Sequence, residues 1–317
     1  MLRRTFFGFV AACAASFPFG AAAQERLNVV ATTGMIADVA RVVGGDVVEV
    51  SALMGPGVDP HAYRQTRSDI VALSRADLIL WNGLYLEAQL EQLLLDLAER
   101  QPVVAVGEGV PVEMRLANED YADRFDPHVW MDPARWSYVV ETVAAALTEA
   151  SPDHAGEFDR NADAYLEQLA ALGEYSEDVL GSVPEASRVL ISAHDAFSYF
   201  GEAYGFDVVG IQGISTESEA GLQRIAELVD MIVAREVGAV FVETSVSDRN
   251  IRALIEGAAA QGHEVVIGGE LFSDAMGEPG TYEGTWLGMI DHNVTTIARA
   301  LGGSAPDAGF AGHLGMN

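Results

Sequence analysis

The chain has 317 residues, 50% hydrophobic and 8% aromatic, and carries a formal net charge of −29, with all 18 of its Lys+Arg positions occupied by arginine. That length and apolar content suffice for two globular lobes. The acidity speaks against nucleic acid and anionic lipid as partners and fits a soluble product with a solvated acidic surface.

The N-terminus reads as an export signal over residues 1–23. Met1-Leu2-Arg3-Arg4 is basic, an apolar run follows to Gly20, and Ala21-Ala22-Ala23 closes it with small residues. The run is too short to span a bilayer comfortably and contains Pro18. Cleavage after Ala23 places the mature protein in the periplasm and removes Cys13, the one cysteine, so that no disulfide or thiolate metal site remains. Val10-Ala11-Ala12-Cys13 offers the alternative of a lipid-attachment box, and Arg3-Arg4-Thr5-Phe6-Phe7 leaves a twin-arginine route open beside the ordinary one.

From residue 24 the apolar runs alternate between strand-like and helical spacing. Strands are expected in the run 27–34, which ends in turn residues, and over 47–54, 76–81 and 102–106, with helices over 35–43, 68–74 and 84–100 between and after them. A polar loop over 116–124 leads to a helix over 136–148, with Pro133 suited to its first turn. Phe158, Ala162, Tyr165, Leu166, Leu169, Leu172, Tyr175 and Val179 then recur at spacings of threes and fours, with acids between. They mark a helix of roughly 28 residues, about 42 Å at 1.5 Å per residue. A helix of that length at mid-chain is placed to join two lobes as a stiff strut. The second half resumes the alternation, with strands over 188–193, 208–211, 237–243 and 265–268, and helices reaching Tyr204 and over 221–236, 248–261 and 285–301. Such alternation gives an α/β fold with two lobes, each holding a mostly parallel sheet flanked by helices. The lobes are expected over 24–150 and 184–317, with the linking helix in 151–183.

Two stretches repeat one device. Asp59-Pro60-His61 and Asp126-Pro127-His128 each set a histidine directly after Asp-Pro. Proline fixes its own φ and holds its predecessor extended, so each imidazole sits on a stiff loop where it can be aimed. In open α/β sheets ligands bind beyond the carboxyl ends of the strands. The histidines and acids found there are His61, His128, His194, Glu243 and Asp274. Three imidazoles and a carboxylate make a four-coordinate site suited to zinc, while a more oxygen-rich set favours manganese. Each residue has a plainer reading. A lone loop histidine is more often a hydrogen-bonding group than a ligand, and Asp274 after Ser273 fits a turn. Glu243 ends its strand in a ligand-like place, yet Thr244-Ser245 and the helix after Asp248 offer it a structural role. His154, His263, His292 and His313 are read as lying outside the site.

These stretches resemble the metal-binding solute-binding proteins of ABC importers for zinc, manganese and iron. The likeness runs over nearly the whole mature chain. It is carried by Val58-Asp59-Pro60-His61-Ala62-Tyr63, Asp126-Pro127-His128-Val129-Trp130-Met131-Asp132-Pro133, Ala193-His194-Asp195-Ala196-Phe197-Ser198-Tyr199-Phe200 and Ser273-Asp274-Ala275-Met276-Gly277. The resemblance implies two α/β lobes on one rigid backbone helix, a metal held between them by His61, His128, His194 and Asp274, and delivery to a membrane permease by a monomeric chain. Many zinc-specific members carry a His-rich acidic loop before the second histidine; residues 116–124 hold no histidine. Many manganese-specific members have Glu at the third ligand position, where this chain has His194. Three His and one Asp go with zinc or with mixed zinc and manganese binding, and the Irving–Williams order ranks Zn²⁺ above Mn²⁺. Zinc is therefore expected, with manganese as the alternative. Four protein ligands leave no open position for a catalytic water, against the rival of an exported zinc metalloenzyme, for which Glu243 is the one candidate base. The other rival is a protein of similar shape that binds a siderophore or corrinoid chelate.

Overall fold

The computed structural model describes residues 26–117 and 123–315. The export segment with Cys13 and residues 118–122 of the polar loop lie outside the described residues.

Four strands, β1 (Leu27–Ala31), β2 (Val48–Ala52), β3 (Leu78–Trp81) and β4 (Val103–Ala105), form a parallel sheet in the order β2-β1-β3-β4. The central strands are buried on both faces, which is why β3 is an unbroken apolar run, Leu78-Ile79-Leu80-Trp81. Val29 sits opposite both Val50 and Leu78 in register. The strand order reverses between β1 and β3, the switch point beyond which open α/β sheets place their ligands. Helix α1 (Gly34–Gly44) is capped by the Thr33 side chain, and α2 (Arg67–Arg75) by a reciprocal capping box of Thr66 and Asp69.

The helix expected over 84–100 begins only at Glu91, as α3 (Glu91–Ala98). Gly83, Leu84 and Tyr85 all take positive φ (74°, 52° and 70°), which no helix tolerates. The buried Glu87 carboxylate accepts the N–H groups of Asn82 (2.8 Å) and Gly83 (3.2 Å) and the Thr32 hydroxyl (2.6 Å), and so closes a turn there. Leu86 and Leu90 are fully buried, so their helix-like spacing reflects core packing.

Helix α4 (Pro133–Ala150) starts with Pro133 in its first turn, and Asp132 caps it by accepting Ala134 N–H at 2.9 Å. The long helix α5 (Ala155–Gly181) has 27 residues and buries Phe158, Ala162, Tyr165, Leu169, Leu172 and Val179. It packs on α1 and α4 of the first half and on α9 (Trp286–Ala300) of the second. One continuous element therefore backs both lobes.

In the second lobe β5 (Val189–Ser192) pairs in parallel with β6 (Asp207–Gly210), and β7 (Ala239–Glu243) with β8 (Val266–Leu271). The parallel sense is as expected, although the hydrogen-bonded ladder is two separate pairs with β5 packed beside β7. β8 runs on to Leu271, past the expected end at residue 268, and a register shift between Val240 and Phe241 takes up the mismatch. Helices α6 (Ser198–Tyr204), α7 (Leu222–Ala234) and α8 (Arg249–Ala260) complete the lobe.

The largest apolar cluster spans both lobes, beside a smaller cluster in each, around Leu73 and Leu94 in the first and Ile232 and Val240 in the second. Val29, Met35 and Leu80 belong to the same buried cluster as Phe197, Leu271 and Trp286. Trp136 and Trp286 stack across the junction with ring centroids 5.8 Å apart and planes at 17°. Trp286 N–H donates to Asp38 Oδ2 (2.8 Å), its indole N–H to Trp130 O (3.2 Å), and Trp130 indole N–H to Ser273 O (2.8 Å). Among the described residues no helix is long and apolar enough to cross a membrane.

Candidate metal centre

His61 lies in the loop after β2, His128 beyond β4, His194 two residues after β5 and Asp274 three residues after β8. These four residues, far apart in sequence, come together in the cleft, and one ligand atom from each lies within 4.8 Å of all the others. All four are buried, with exposures of 3% or less. His61 Nε2 is 3.3 Å from His128 Nε2. The Asp274 carboxylate stands 3.8, 3.5 and 3.2 Å from the Nε2 atoms of His61, His128 and His194. A tetrahedral centre with bonds of 2.0–2.2 Å has about 3.4 Å between its ligand atoms, so the spacing matches one ion at the middle.

The two Asp-Pro-His loops are built alike. Asp59 Oδ1 accepts His61 N–H at 2.9 Å, and Asp126 Oδ1 accepts His128 N–H at 2.9 Å, an Asx turn in each case. Asp126 Oδ1 also meets His128 Nδ1 at 2.7 Å. On the other side, Glu243 accepts His194 N–H through Oε1 (2.9 Å) and meets His194 Nδ1 through Oε2 (2.6 Å). Asp126 and Glu243 each accept a hydrogen bond from the Nδ1–H of their histidine and leave its Nε2 facing the cleft. Glu243 therefore stands behind His194, and its place at the strand end is that of an orienting group. Asp126 and Asp59 carry no such role in the sequence reading. The signal was there, an aspartate two residues before each histidine, but the same pattern marks ordinary turns.

Burial pushes the His61 imidazole down to about 3, opposed by Asp274 and reinforced by the neighbouring imidazoles. Burial acts in the same direction on His128, but Asp126 and Asp274 outweigh it and lift that imidazole to about 9. His194 is likewise raised well above its ordinary value, because Glu243 and Asp274 overcome its burial. Burial favours the neutral form of Asp274, yet the surrounding imidazoles win and hold it well below the usual carboxylate range. His194 Nε2 and both Asp274 oxygens are buried with no hydrogen-bond partner among the described residues. Such atoms are costly to bury, and an ion in their midst satisfies them all. The remaining histidines lie elsewhere: His154 at the N-cap of α5, His263 against Val237 O, His292 against Glu270 O and His313 beside the Tyr282 ring.

Residues 29–300 match the family model of ZnuA, zinc-uptake complex component A, periplasmic. The chain belongs to the ZnuA family. Its members are metal-binding periplasmic solute-binding proteins of ABC importers. The chain is similar to the manganese-binding lipoprotein MntA of Bacillus subtilis, 47% identical over 282 residues that cover 89% of this chain and 92% of that one. It is equally similar to the zinc-binding protein TroA of Treponema pallidum, 47% identical over 281 residues covering 89% of this chain and 91% of TroA. The solved structure of periplasmic TroA superposes with a TM-score of 0.85 at 46% identity, covering 87% of this chain and 99% of TroA. The two-lobed α/β architecture of the ZnuA family is thus the architecture of this chain.

Proposed function

We propose that this chain is an extracytoplasmic solute-binding protein that captures one divalent transition-metal ion between its lobes and hands it to the permease of an ABC importer. The ligands are His61, His128 and His194 through Nε2, and Asp274. The observation that carries the reading is the convergence of these four buried groups at tetrahedral spacing, with His194 Nε2 and the Asp274 oxygens otherwise unpartnered. Residues 24–150 and 184–317 serve as the lobes and 151–183 as the strut. The signal is cleaved after Ala23, the mature chain acts as a monomer, and it performs no hydrolysis, since four protein ligands leave no open position.

Zinc is the preferred ion. Three nitrogen donors favour it, and the carboxylates behind His128 and His194 make those nitrogens better donors. One observation favours manganese as the second reading. Both Asp274 oxygens are free of hydrogen bonds among the described residues, so the carboxylate can bind through both and raise the coordination number. The two relatives at equal identity are named for different metals and do not separate these readings.

The test is the metal content of the purified mature protein, followed by competitive titration with Zn²⁺ and Mn²⁺. One tightly held zinc per chain, lost in His194→Ala, is the expected result. Preference for Mn²⁺ overturns the metal and keeps the function. Absence of stoichiometric metal after reconstitution overturns the site, and unchanged binding of a metal chelate by His194→Ala points to the chelate-binding rival.

A further inference from the structure

Contacts of two kinds cross between the lobes. The buried set is aromatic and apolar, built on Trp130, Trp136 and Trp286. The polar set includes the Arg135–Glu202 ion pair and the Tyr199 hydroxyl, which donates to Asp126 O (2.9 Å) and accepts Leu116 N–H (3.0 Å); two further polar contacts come from residues 211–221, the strap that connects β6 to α7. From that segment Thr216 Oγ1 donates to Asp59 Oδ2 at 2.6 Å, and Glu217 Oε1 accepts from Gln89 Nε2 at 2.7 Å. The segment is shaped from within by the buried Gln212, whose Nε2 donates to Thr216 O (3.3 Å) and Ser218 O (3.0 Å). A cavity of about 630 Å³ lies between the segment and β6, lined by Asp195, Ile211, Gln212, Ser218 and Arg224. Ile211 anchors the strap in the apolar core of the C-terminal lobe, so the part that reaches the N-terminal lobe is Thr216 and Glu217. The Asp274 stretch is tied down on several sides: Ser273 O is held by Trp130, Ser273 Oγ lies 3.0 Å from Ser245 Oγ, and the Phe272 backbone is bonded to Asn293 through both N–H and C=O.

Asp59 is the meeting point. Its Oδ1 accepts the His61 N–H and forms the turn that aims the imidazole, while its Oδ2 takes the Thr216 hydroxyl from the opposite lobe. On the reading of His61 as a ligand, we propose that Thr216 is a positioning residue for metal retention. Through Asp59 it ties the His61 loop to the C-terminal lobe, so that withdrawal of the strap frees His61 and lets the ion leave. Glu217 and Gln89 close the same gap but touch no ligand loop.

Zinc transfer to excess EDTA from the full-length mature protein, followed by stopped flow, tests this. The variants are Thr216→Val, which keeps the shape and removes the hydroxyl, Thr216→Ser, which keeps the hydroxyl, and Gln89→Ala. Thr216→Val is expected to release zinc about tenfold faster, the weight of one hydrogen bond to a charged group. Its metal-free melting temperature should match wild type, while Thr216→Ser and Gln89→Ala release at the wild-type rate. Release from Thr216→Val at the wild-type rate overturns the proposal. So does equal acceleration by Gln89→Ala, which makes the effect one of closure in general. Failure of wild type itself to retain zinc, with His194→Ala no different, marks the metal-capture reading as the part that fails and removes the proposal with it.

Discussion

Asp126 and Glu243 hold the Nδ1 atoms of His128 and His194 at 2.7 and 2.6 Å, and so decide which ring nitrogen meets the ion. Partners of this kind are worth about 10–100-fold in metal affinity. Asp126→Asn and Glu243→Gln keep the shape and remove the charge; each is expected to weaken zinc binding by about tenfold at neutral pH, read by competition with a chelator. The same carboxylates set the proton inventory. With His128 lifted to about 9 and His194 also raised, both imidazoles are biased towards the protonated form in the metal-free protein, whereas burial biases His61 towards the neutral form. Zinc must displace those protons, so loading should release about two per ion. Calorimetry in buffers of different ionisation enthalpy counts them. The sign is fixed by competition: below pH 8 affinity should fall by up to about 100-fold per pH unit.

Individual elements were legible to different degrees, for physical reasons. The Asp-Pro-His loops were readable because proline and an Asx turn are local chemistry, needing no partner distant in sequence. Helix α5 was readable because its buried face repeats over 27 residues. The start of α3 was not, because Leu86 and Leu90 mimic helical spacing while Leu84 and Tyr85 sit at positive φ, a conformation their side chains do not advertise. What holds that turn is Glu87, fully buried and raised by burial to about 7 despite its donors. The ordinary value is 4.5, so the folded protein grips this proton more tightly than the unfolded chain. The stability this gives is present in full below 4.5 and is lost as pH rises through 7, an effect on the order of 3 kcal/mol. Chemical denaturation of wild type and Glu87→Gln at pH 4.5 and 8 checks it: the variant should gain on wild type at the higher pH. The Thr216 hydroxyl on Asp59, the Tyr199 hydroxyl on Asp126 O, and the pairing of Glu243 with His194 were not legible, since they join positions 49 or more residues apart.

At the scale of the molecule, the shared core makes the two lobes one cooperative unit even though their ladders are separate. Heating the metal-free protein should give a single calorimetric transition, whereas lobes held by the strap alone would melt in two steps. Zinc at 1,000 times its dissociation constant should move that transition up by the equivalent of about 4 kcal/mol. The net charge of −29 adds self-repulsion that salt relieves, so the midpoint should also rise with ionic strength. A rise with zinc far above what equal ionic strength produces separates specific loading from screening.

Trp130 is 1% exposed, and its ring centroid stands 5.1 Å from that of His128, edge to face at 68°. A protonated imidazole draws electron density from an excited indole and dims it, whereas zinc, a closed-shell ion without redox chemistry, takes the proton's place and leaves the ring neutral. Loading should therefore brighten the tryptophan emission at pH 7, and Trp130→Phe should abolish the change although Trp81, Trp136 and Trp286 remain. The chain carries a light gauge beside its cargo, and the rate of filling or emptying can be followed on the unlabelled protein by eye of the spectrometer alone.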